Sequence, residues 1–244
     1  MNRFRQRLRR GVLIAAFLAL PVTLNYYSPY LMTSGTAERI ATFSLLFWLA
    51  TLLTAPVLGR AFCGWACPFH GLQLVAESVS SRPTRHVRHV RWVKYALWAA
   101  WAGSVAALAV AVGGWARFEP FYLTESYVSF DHPEALVIYY GLVGLVLAGR
   151  GWGKRGFCHY LCPFGVWNIA GESLGRVARI PRLRLRADSS ACKACGTCDR
   201  VCPMSLPVSH MVAEESMVHT ECILCGSCVD SCPNGAVRFG YGRE

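Results

Sequence analysis

Residues 192–203 read Cys-Lys-Ala-Cys-Gly-Thr-Cys-Asp-Arg-Val-Cys-Pro, and residues 222–233 repeat the pattern as Cys-Ile-Leu-Cys-Gly-Ser-Cys-Val-Asp-Ser-Cys-Pro. This C-x2-C-x2-C-x3-C-P spacing places three thiolates around one face of a 4Fe-4S cubane. Zinc sites instead use C-x2-C pairs that are separated by a dozen or more residues. The spacing therefore predicts two 4Fe-4S clusters in a compact α+β domain of the bacterial ferredoxin type.

The ligands of the two clusters are expected to cross between the two runs. In a domain with two such runs, the fourth cysteine of each run binds the cluster of the other run. The first cluster would then be held by Cys192, Cys195, Cys198 and Cys232, and the second by Cys222, Cys225, Cys228 and Cys202.

Four further cysteines form a second repeat nearer the N-terminus. Residues 60–69 read Arg-Ala-Phe-Cys-Gly-Trp-Ala-Cys-Pro-Phe, and residues 155–164 read Arg-Gly-Phe-Cys-His-Tyr-Leu-Cys-Pro-Phe. In a helix, cysteines four residues apart lie on one face, and the proline ends the turn before it. The hypothesis is that all four thiols, Cys63, Cys67, Cys158 and Cys162, converge into one site. Such a site would bind a metal or cluster, act as dithiol and disulfide, or pack as small apolar groups, and the sequence leaves these three roles open.

The composition is typical of a membrane protein. Hydrophobic residues make up 54% of the chain and charged residues only 16%, against about 25% charged in soluble domains. Four apolar stretches approach the ~20 residues that a membrane span needs, at residues 11–32, 40–58, 92–112 and 135–149. We expect a domain of four transmembrane α-helices, in two hairpins, over residues 1–180. A basic linker over residues 176–186 would lead into the ferredoxin domain, residues 181–244.

Basic residues predict the orientation in the bacterial inner membrane. The formal net charge is +11, but the Arg and Lys residues lie in short blocks beside apolar runs, which argues against a nucleic-acid partner and for membrane lipid. The connections after the first and third apolar stretches contain only Arg39 and Arg117. Because cytoplasmic loops retain Lys and Arg, both termini should be cytoplasmic.

The segment between the third and fourth apolar stretches is a candidate quinol site. Quinol oxidation needs an apolar slot and a carboxylate or imidazole that takes up protons. Trp115 and Glu119 begin a segment that supplies both kinds of group and continues through Tyr127 to Asp131 and His132. The alternative is an aromatic belt that only anchors the protein at the interface.

The order of these motifs resembles the NapH family, the membrane subunits of ferredoxin-type quinol dehydrogenases of the periplasmic nitrate reductase system, and their relative MauN. The resemblance rests on residues 63–68, 115–123 and 158–163 and on both ferredoxin runs, and it extends from about residue 11 to residue 239. It implies an oxidoreductase subunit that passes electrons from the quinone pool, through the Fe–S centres, to a periplasmic or membrane redox partner. That partner would be a ferredoxin-like protein or a c-type cytochrome.

A second functional class remains open. The same core occurs in assembly or metallation factors of the NosR and CcoG type, which reduce a metal ion or a thiol for another respiratory protein. In that role, the C-x3-C-P thiols would be the working site.

The predicted orientation can be tested with reporter fusions. A green fluorescent protein fused after Glu244, or inserted near Arg85, should fluoresce, because both positions should be cytoplasmic. Alkaline phosphatase inserted near Ser126 should be active, because it folds correctly only outside the cytoplasm. A periplasmic C-terminus would contradict the assignment, which rests on loop charge alone.

Overall fold

We describe a computed structural model of the chain over residues 3–77, 88–124, 129, 133–148, 151 and 153–243. The helices before the ferredoxin cysteines are α1 (Arg3–Leu18), α2 (Leu20–Tyr27), α3 (Pro29–Ala37), α4 (Phe43–Leu58), α5 (Ala61–Trp65), α6 (Pro68–Glu77), α7 (Arg88–Ala111), α8 (Pro133–Ala148), α9 (Gly156–Tyr160) and α10 (Pro163–Val177). The later helices are α11 (Thr197–Val201), α12 (Val208–Ala213) and α13 (Ser227–Ser231). The strands are β1 (Ile40–Ala41), β2 (Arg117–Phe118), β3 (Arg182–Ala187) and β4 (Val237–Gly242).

Residues 11–32, the predicted first span, do not form one continuous helix. Helix α1 ends at Leu18, and α2 leaves it at an angle of 80°. Pro21 lies in the first turn of α2, and Pro29 begins α3. A proline has no N–H to continue the hydrogen bonds of a preceding helix. The apolar composition of the stretch was read correctly, but its prolines divide it into three pieces.

Among the described residues, one helix is long and apolar enough to cross a membrane. This is Arg91–Ala111 within α7, and the number rises to two if the bent pair α1 and α2 counts as one span. Helix α4 and the part Val137–Ala148 of α8 are shorter apolar helices. With 16 residues, α4 is just below the lower limit of ~17 residues. Four transmembrane helices therefore stay a prediction.

The two C-x3-C-P repeats have the same local structure. In each, a five-residue helix, α5 or α9, carries the first cysteine, and a longer helix, α6 or α10, begins at the proline after the second. Phe69 and Phe164, which follow these prolines, stack on each other with ring centroids 5.7 Å apart. Phe164 also stacks on the buried Trp48 of α4. This aromatic contact brings the two repeats together in the core of the helical domain.

Glycines allow the helices of the repeats to pack closely on their neighbours. A Cβ atom on Gly171 of α10 would lie 2.5 Å from the carbonyl oxygen of Leu52 in α4. A Cβ atom on Gly71 of α6 would overlap the carbonyl of Leu13 in α1. Small residues at such contacts let the helix backbones approach each other. The positions of α6 and α10 are fixed in this way against α1 and α4.

Strand β3 of the ferredoxin domain lies within the stretch that was predicted to be a basic linker. Strand β3 pairs antiparallel with β4, and Arg182 lies opposite Gly242. The basic linker predicted over residues 176–186 is therefore wrong, because α10 continues to Val177 and residues 182–186 belong to a strand. Arg and Leu alternate over residues 182–186, and alternation of this kind is the period of a strand. Leu185 of this strand packs into the ferredoxin core.

Candidate iron–sulfur sites

The eight ferredoxin-type cysteines line two cavities. Cys202 lines one of them together with the first three cysteines of the second run, Cys222, Cys225 and Cys228. Cys232 lines the other together with the first three cysteines of the first run, Cys192, Cys195 and Cys198. The structure thus brings together the two sets of four thiols that the crossed pattern predicts.

The binding loops take the same conformation in both runs. Ala194 and Leu224 have φ values of 50° and 51°, and Gly196 and Gly226 have φ values of 66° and 72°. Left-handed backbone is uncommon for residues other than glycine. Its recurrence at matching positions indicates that both loops are shaped to surround their cavities. Helices α11 and α13 begin directly after the two glycines. Each of these helices carries its chain on to the fourth cysteine.

The donor set fits 4Fe-4S clusters. Four thiols face each cavity, and backbone N–H groups point at the sulfurs: Leu206 donates to Cys202 Sγ at 3.5 Å, and Ala236 donates to Cys232 Sγ at 3.3 Å. Such hydrogen bonds influence cluster potentials. Within the described parts of the chain, no three His, Cys, Asp or Glu side chains are placed to share a single metal ion.

The two cavities differ in their exposure to solvent. Cys202, Cys225 and Cys228 of the second cavity are buried, whereas Cys195 of the first cavity is exposed. Solvent exposure is one of the factors that set the potential of a cluster. The second cavity is therefore the interior one, and the first lies near the protein surface.

The four cysteines of the C-x3-C-P repeats also come together. Cys158 packs against the apolar cluster in which Cys63 is buried, Cys67 and Cys162 are buried together in a second cluster, and Phe62 packs against both clusters. Gln73 Nε2 donates to Cys158 Sγ at 3.0 Å. We call these four cysteines the four-thiol site. It adjoins the second cavity, since Cys63 belongs to the same apolar cluster as the thiols of that cavity.

Two buried arginines flank the four-thiol site at equivalent positions. Arg60 and Arg155 each lie three residues before the first cysteine of a repeat and are 1% and 0% exposed. Arg60 Nη1 donates to the carbonyl of Thr220 at 2.7 Å, whereas Arg155 Nη2 donates to Glu77 Oε2 at 2.7 Å. Both repeats begin with Arg-x-Phe-Cys. This shared pattern could have predicted a common role for Arg60 and Arg155.

A single buried carboxylate, Glu221, joins the ferredoxin domain to the helices. It accepts hydrogen bonds from Lys94 Nζ at 2.7 Å and from Arg60 Nη1 at 3.1 Å, and His159 Nδ1 lies 3.8 Å away. Burial alone would raise the pKa of Glu221, but the charges of Arg60 and Lys94 outweigh burial and lower it to about 2. The carboxylate is therefore ionised at neutral pH. Sequence reasoning missed this residue, which immediately precedes Cys222.

The N-terminal helix docks on the second ferredoxin loop. Arg5 forms an ion pair with Asp230 at 2.5 Å, and Gln6 Nε2 donates to the carbonyl of Cys225 at 3.0 Å. Arg9 is 3% exposed and donates to the carbonyl of Gly64 at 3.2 Å. Arg5 and Gln6 therefore attach α1 to the ferredoxin domain, and Arg9 attaches α1 to α5.

The candidate quinol residues lie at the far end of α7. Trp115 is 44% exposed, and its Nε1 donates to Thr36 Oγ1 at 3.1 Å. Glu119 is 43% exposed and lies 3.6 Å from Arg117. The structure places both residues just beyond the C-terminal end of α7, where they are partly exposed, and the quinol role stays a prediction. Residues 125–128 and 130–132 of that segment lie outside the described residues.

Comparison with known proteins agrees with these sites. A 4Fe-4S dicluster domain model matches residues 191–237, and a 4Fe-4S binding domain model matches residues 40–83 and 132–168, which contain the four-thiol site. The ferredoxin-type protein NapH of Haemophilus influenzae is 26% identical over 84% of this chain and 72% of its own length. The methylamine utilization ferredoxin-type protein MauN of Methylobacillus flagellatus is 30% identical over 74% of this chain. The chain resembles the NapH family.

This NapH-like chain spans only part of some relatives. It covers 62% of MauN and 60% of the putative electron transport protein YccM of Escherichia coli, which is 23% identical over 88% of this chain. No solved structure matches it. The matched domains and relatives identify a ferredoxin-type 4Fe-4S electron-transfer protein with two 4Fe-4S clusters.

The crossed ligation can be tested by changing the fourth cysteine of one run. Cys202→Ala should damage the cluster held by Cys222, Cys225 and Cys228 and leave the other cluster intact. EPR spectra of the reduced variant, compared with those of Cys195→Ala, would identify the missing signal. If Cys202→Ala and Cys195→Ala remove the same signal, the crossed assignment is wrong.

Removal of the Glu221 charge should weaken the docking of the ferredoxin domain. Glu221→Gln leaves Arg60 and Lys94 buried without their carboxylate, a change of a kind that costs about 3–5 kcal/mol. We expect lower thermal stability and faster proteolysis between residues 178 and 181, where the two domains join. Glu214→Gln is the matched control, because Glu214 is 60% exposed. Equal stability of both variants would show that the buried ion pairs contribute little.

Proposed function

We propose that this chain is a membrane-anchored subunit of a quinol dehydrogenase that transfers electrons between the quinone pool and a redox partner. The observation that carries the proposal is the buried contact at Glu221. It fixes the inner ferredoxin cavity against the helical domain, so that a cluster lies directly beside the part of the chain that would enter the membrane.

Exposed apolar side chains support insertion into a membrane. Val110 of α7 is 82% exposed, and Leu53 of α4 and Val137 of α8 are each 73% exposed. Soluble proteins rarely expose large contiguous apolar patches, whereas lipid would cover them. We propose a multi-pass protein of the bacterial inner membrane, with α4, α7, α8 and the bent pair α1 and α2 as its four spans.

The length of α7 separates the two ends of the proposed electron path. Lys94 near its start contacts Glu221 at the ferredoxin domain, and Ala111 at its end leads to the segment with Trp115 and Glu119. At 1.5 Å per residue, Lys94 and Ala111 are about 26 Å apart, close to the ~30 Å thickness of the hydrocarbon. A quinol at the Glu119 end would thus lie at the opposite membrane face from the clusters.

The two clusters suit the transfer of an electron pair. A quinol gives up two electrons and two protons, and each cluster accepts one electron. In the proposed order, electrons pass the four-thiol site, the buried second cluster and then the first cluster. The exposed Cys195 marks the edge at which the first cluster can exchange electrons with another protein.

The side of the membrane on which the partner lies follows from the orientation. With cytoplasmic termini, the first cluster meets a partner in the cytoplasm or a membrane subunit that reaches there. A periplasmic ferredoxin-like protein or c-type cytochrome, which the NapH resemblance implies, would then receive electrons only through a further carrier across the membrane. The reporter fusions distinguish the two arrangements.

The four-thiol site also supports the second functional class. Four cysteine side chains are a soft donor set, which suits Cu(I). A chain that reduces or delivers such an ion would bind it at Cys63, Cys67, Cys158 and Cys162. Copper binding by purified chain, with loss of binding in Cys67→Ser, would favour this class over quinol oxidation.

Reduction of the clusters by quinol tests the main proposal. The chain in liposomes, supplied with a reduced menaquinone analogue, should lose the visible absorbance of its oxidised Fe–S clusters. Glu119→Gln should slow this step by about a hundredfold, as expected for loss of a proton acceptor. Glu214→Gln, an exposed carboxylate in the ferredoxin domain, is the control. Clusters that dithionite reduces and quinol does not would contradict the proposal.

A further inference from the structure

Strand β3 of the ferredoxin domain has one paired edge and one open edge. Just beyond its register with β4, the N–H of Asp188 donates to the carbonyl of Ala236 at 2.9 Å. In an antiparallel pair, every second residue bonds across to the partner strand. The even-numbered residues of β3 therefore bond to β4, and the backbone groups of the odd-numbered residues point away from it. These are Leu183, Leu185 and Ala187. Among the described residues, none is hydrogen-bonded to these outward backbone groups.

A groove lies beside this strand. Its volume is about 510 Å³, and it is lined by all six residues of β3, by residues 215–219 and by Glu172, Cys222 and Leu224. This volume is within the range of ~300–1,000 Å³ that is typical of ligand clefts. Because Glu172 belongs to α10, the groove is formed by both the ferredoxin domain and the helical domain.

Two arginines in the groove have no carboxylate partner among the described residues. Arg182 pairs with Glu172, at 3.8 Å. In contrast, Arg184 Nε is buried and donates to no acceptor within the described part of the chain. Arg186 Nη2 donates to the carbonyl of Tyr241, at 3.1 Å, and not to a carboxylate. Buried N–H groups in native proteins nearly always have an acceptor, so the groove is suited to an anionic occupant.

The second carboxylate of the groove is already engaged elsewhere. Glu215 Oε1 accepts hydrogen bonds from the backbone N–H and the hydroxyl of Ser189, at 3.2 and 2.6 Å. It is therefore held at the start of the loop that follows β3. The three arginines of β3 thus face two carboxylates in the groove, and the excess charge is positive.

A second copy of this chain would be a poor occupant of the open edge. Two β3 strands placed edge to edge, with their leucine faces on the same side, would bring arginines opposite arginines. Like charges directly opposite each other destabilise a strand pair, and charged side chains commonly protect an edge strand from such self-association. The same arginines would stabilise a strand that carries acidic side chains on their face.

We propose that the open edge of β3 binds an extended segment of a partner polypeptide in which acidic side chains alternate with apolar ones. The segment would add a third strand to the sheet, with hydrogen bonds to the outward backbone groups of β3. Residues directly opposite each other in a sheet share a face. The acidic side chains would therefore lie beside Arg184 and Arg186, and the apolar ones on the face of Leu183 and Leu185. The proposal does not depend on quinol as the electron donor.

Binding of a designed peptide tests the proposal. A fluorescent peptide of alternating Glu and Val, with six residues to match β3, should bind the full chain in detergent with its ferredoxin clusters in place. Fluorescence anisotropy measures the dissociation constant. A peptide of alternating Lys and Val should not bind, and added salt should weaken the binding of the Glu peptide, because salt screens exposed charges. Equal binding of the two peptides would overturn the proposal.

Methylation of the peptide amides tests the strand pairing itself. A strand at the open edge directs only every second amide toward β3. N-methylation of one alternate set, either the Val amides or the Glu amides, should therefore abolish binding, and methylation of the other set should preserve it. Equal effects of the two sets would show that the peptide is not bound as a strand.

Substitutions in the groove test the predicted charge contacts. Arg184→Gln and Arg186→Gln should each weaken binding of the Glu peptide by up to about fivefold, as expected for partly exposed ion pairs. Arg10→Gln, at an exposed position of α1, is the matched control and should have no effect. Glycerol phosphate, a soluble anionic lipid headgroup, should not displace the peptide. Unchanged affinity in both groove variants, or complete displacement by glycerol phosphate, would overturn the proposal.

Discussion

The structure depends on one buried carboxylate. Glu221 has 0% exposure and lies between two cations from different helical elements, Arg60 before α5 and Lys94 in α7. Each charge alone would be unstable in an apolar interior, and together they are stable only when all three occupy their positions. The ferredoxin domain therefore cannot be displaced from the helices without exposing or isolating these charges. Docking is consequently a property of the folded chain and not a loose association of two domains.

This constraint also determines the arrangement of the clusters. Cys222 follows Glu221 directly, so fixing the carboxylate fixes the first thiol of the inner cavity. From the other side, Trp65 Nε1 donates to the carbonyl of Leu224 at 3.1 Å, within the same binding loop. The loop that surrounds the second cluster is thus held by contacts from the first C-x3-C-P repeat. The first cavity has no comparable support among the described residues, and its Cys195 remains exposed.

The features that sequence predicts well are those that local spacing determines. The cysteine runs specify cavities because the ligands are two or three residues apart, and the C-x3-C-P repeats specify two equivalent helical segments. The feature that sequence reasoning missed is a contact between residues 161 positions apart, Arg60 and Glu221. No local pattern distinguishes Glu221 from an ordinary loop carboxylate. The break within residues 11–32 could have been predicted, because Pro21 and Pro29 are visible in the sequence. The high hydropathy of the stretch nevertheless led to its prediction as a single span.

The two C-x3-C-P repeats are not equivalent, and the docking of the ferredoxin domain explains the difference. The residue after the first cysteine is Gly64 in one repeat and His159 in the other. A Cβ atom on Gly64 would overlap the carbonyl of Ile223, so only glycine lets the ferredoxin loop approach this closely. His159 faces Glu221 instead, 3.8 Å from its carboxylate. The first repeat therefore supplies a surface that contacts the ferredoxin loop. The second repeat supplies a side chain that lies beside the carboxylate of Glu221. The two copies of the motif thus contact the same ferredoxin loop and its Glu221 in different ways, and they differ at the position that faces this domain.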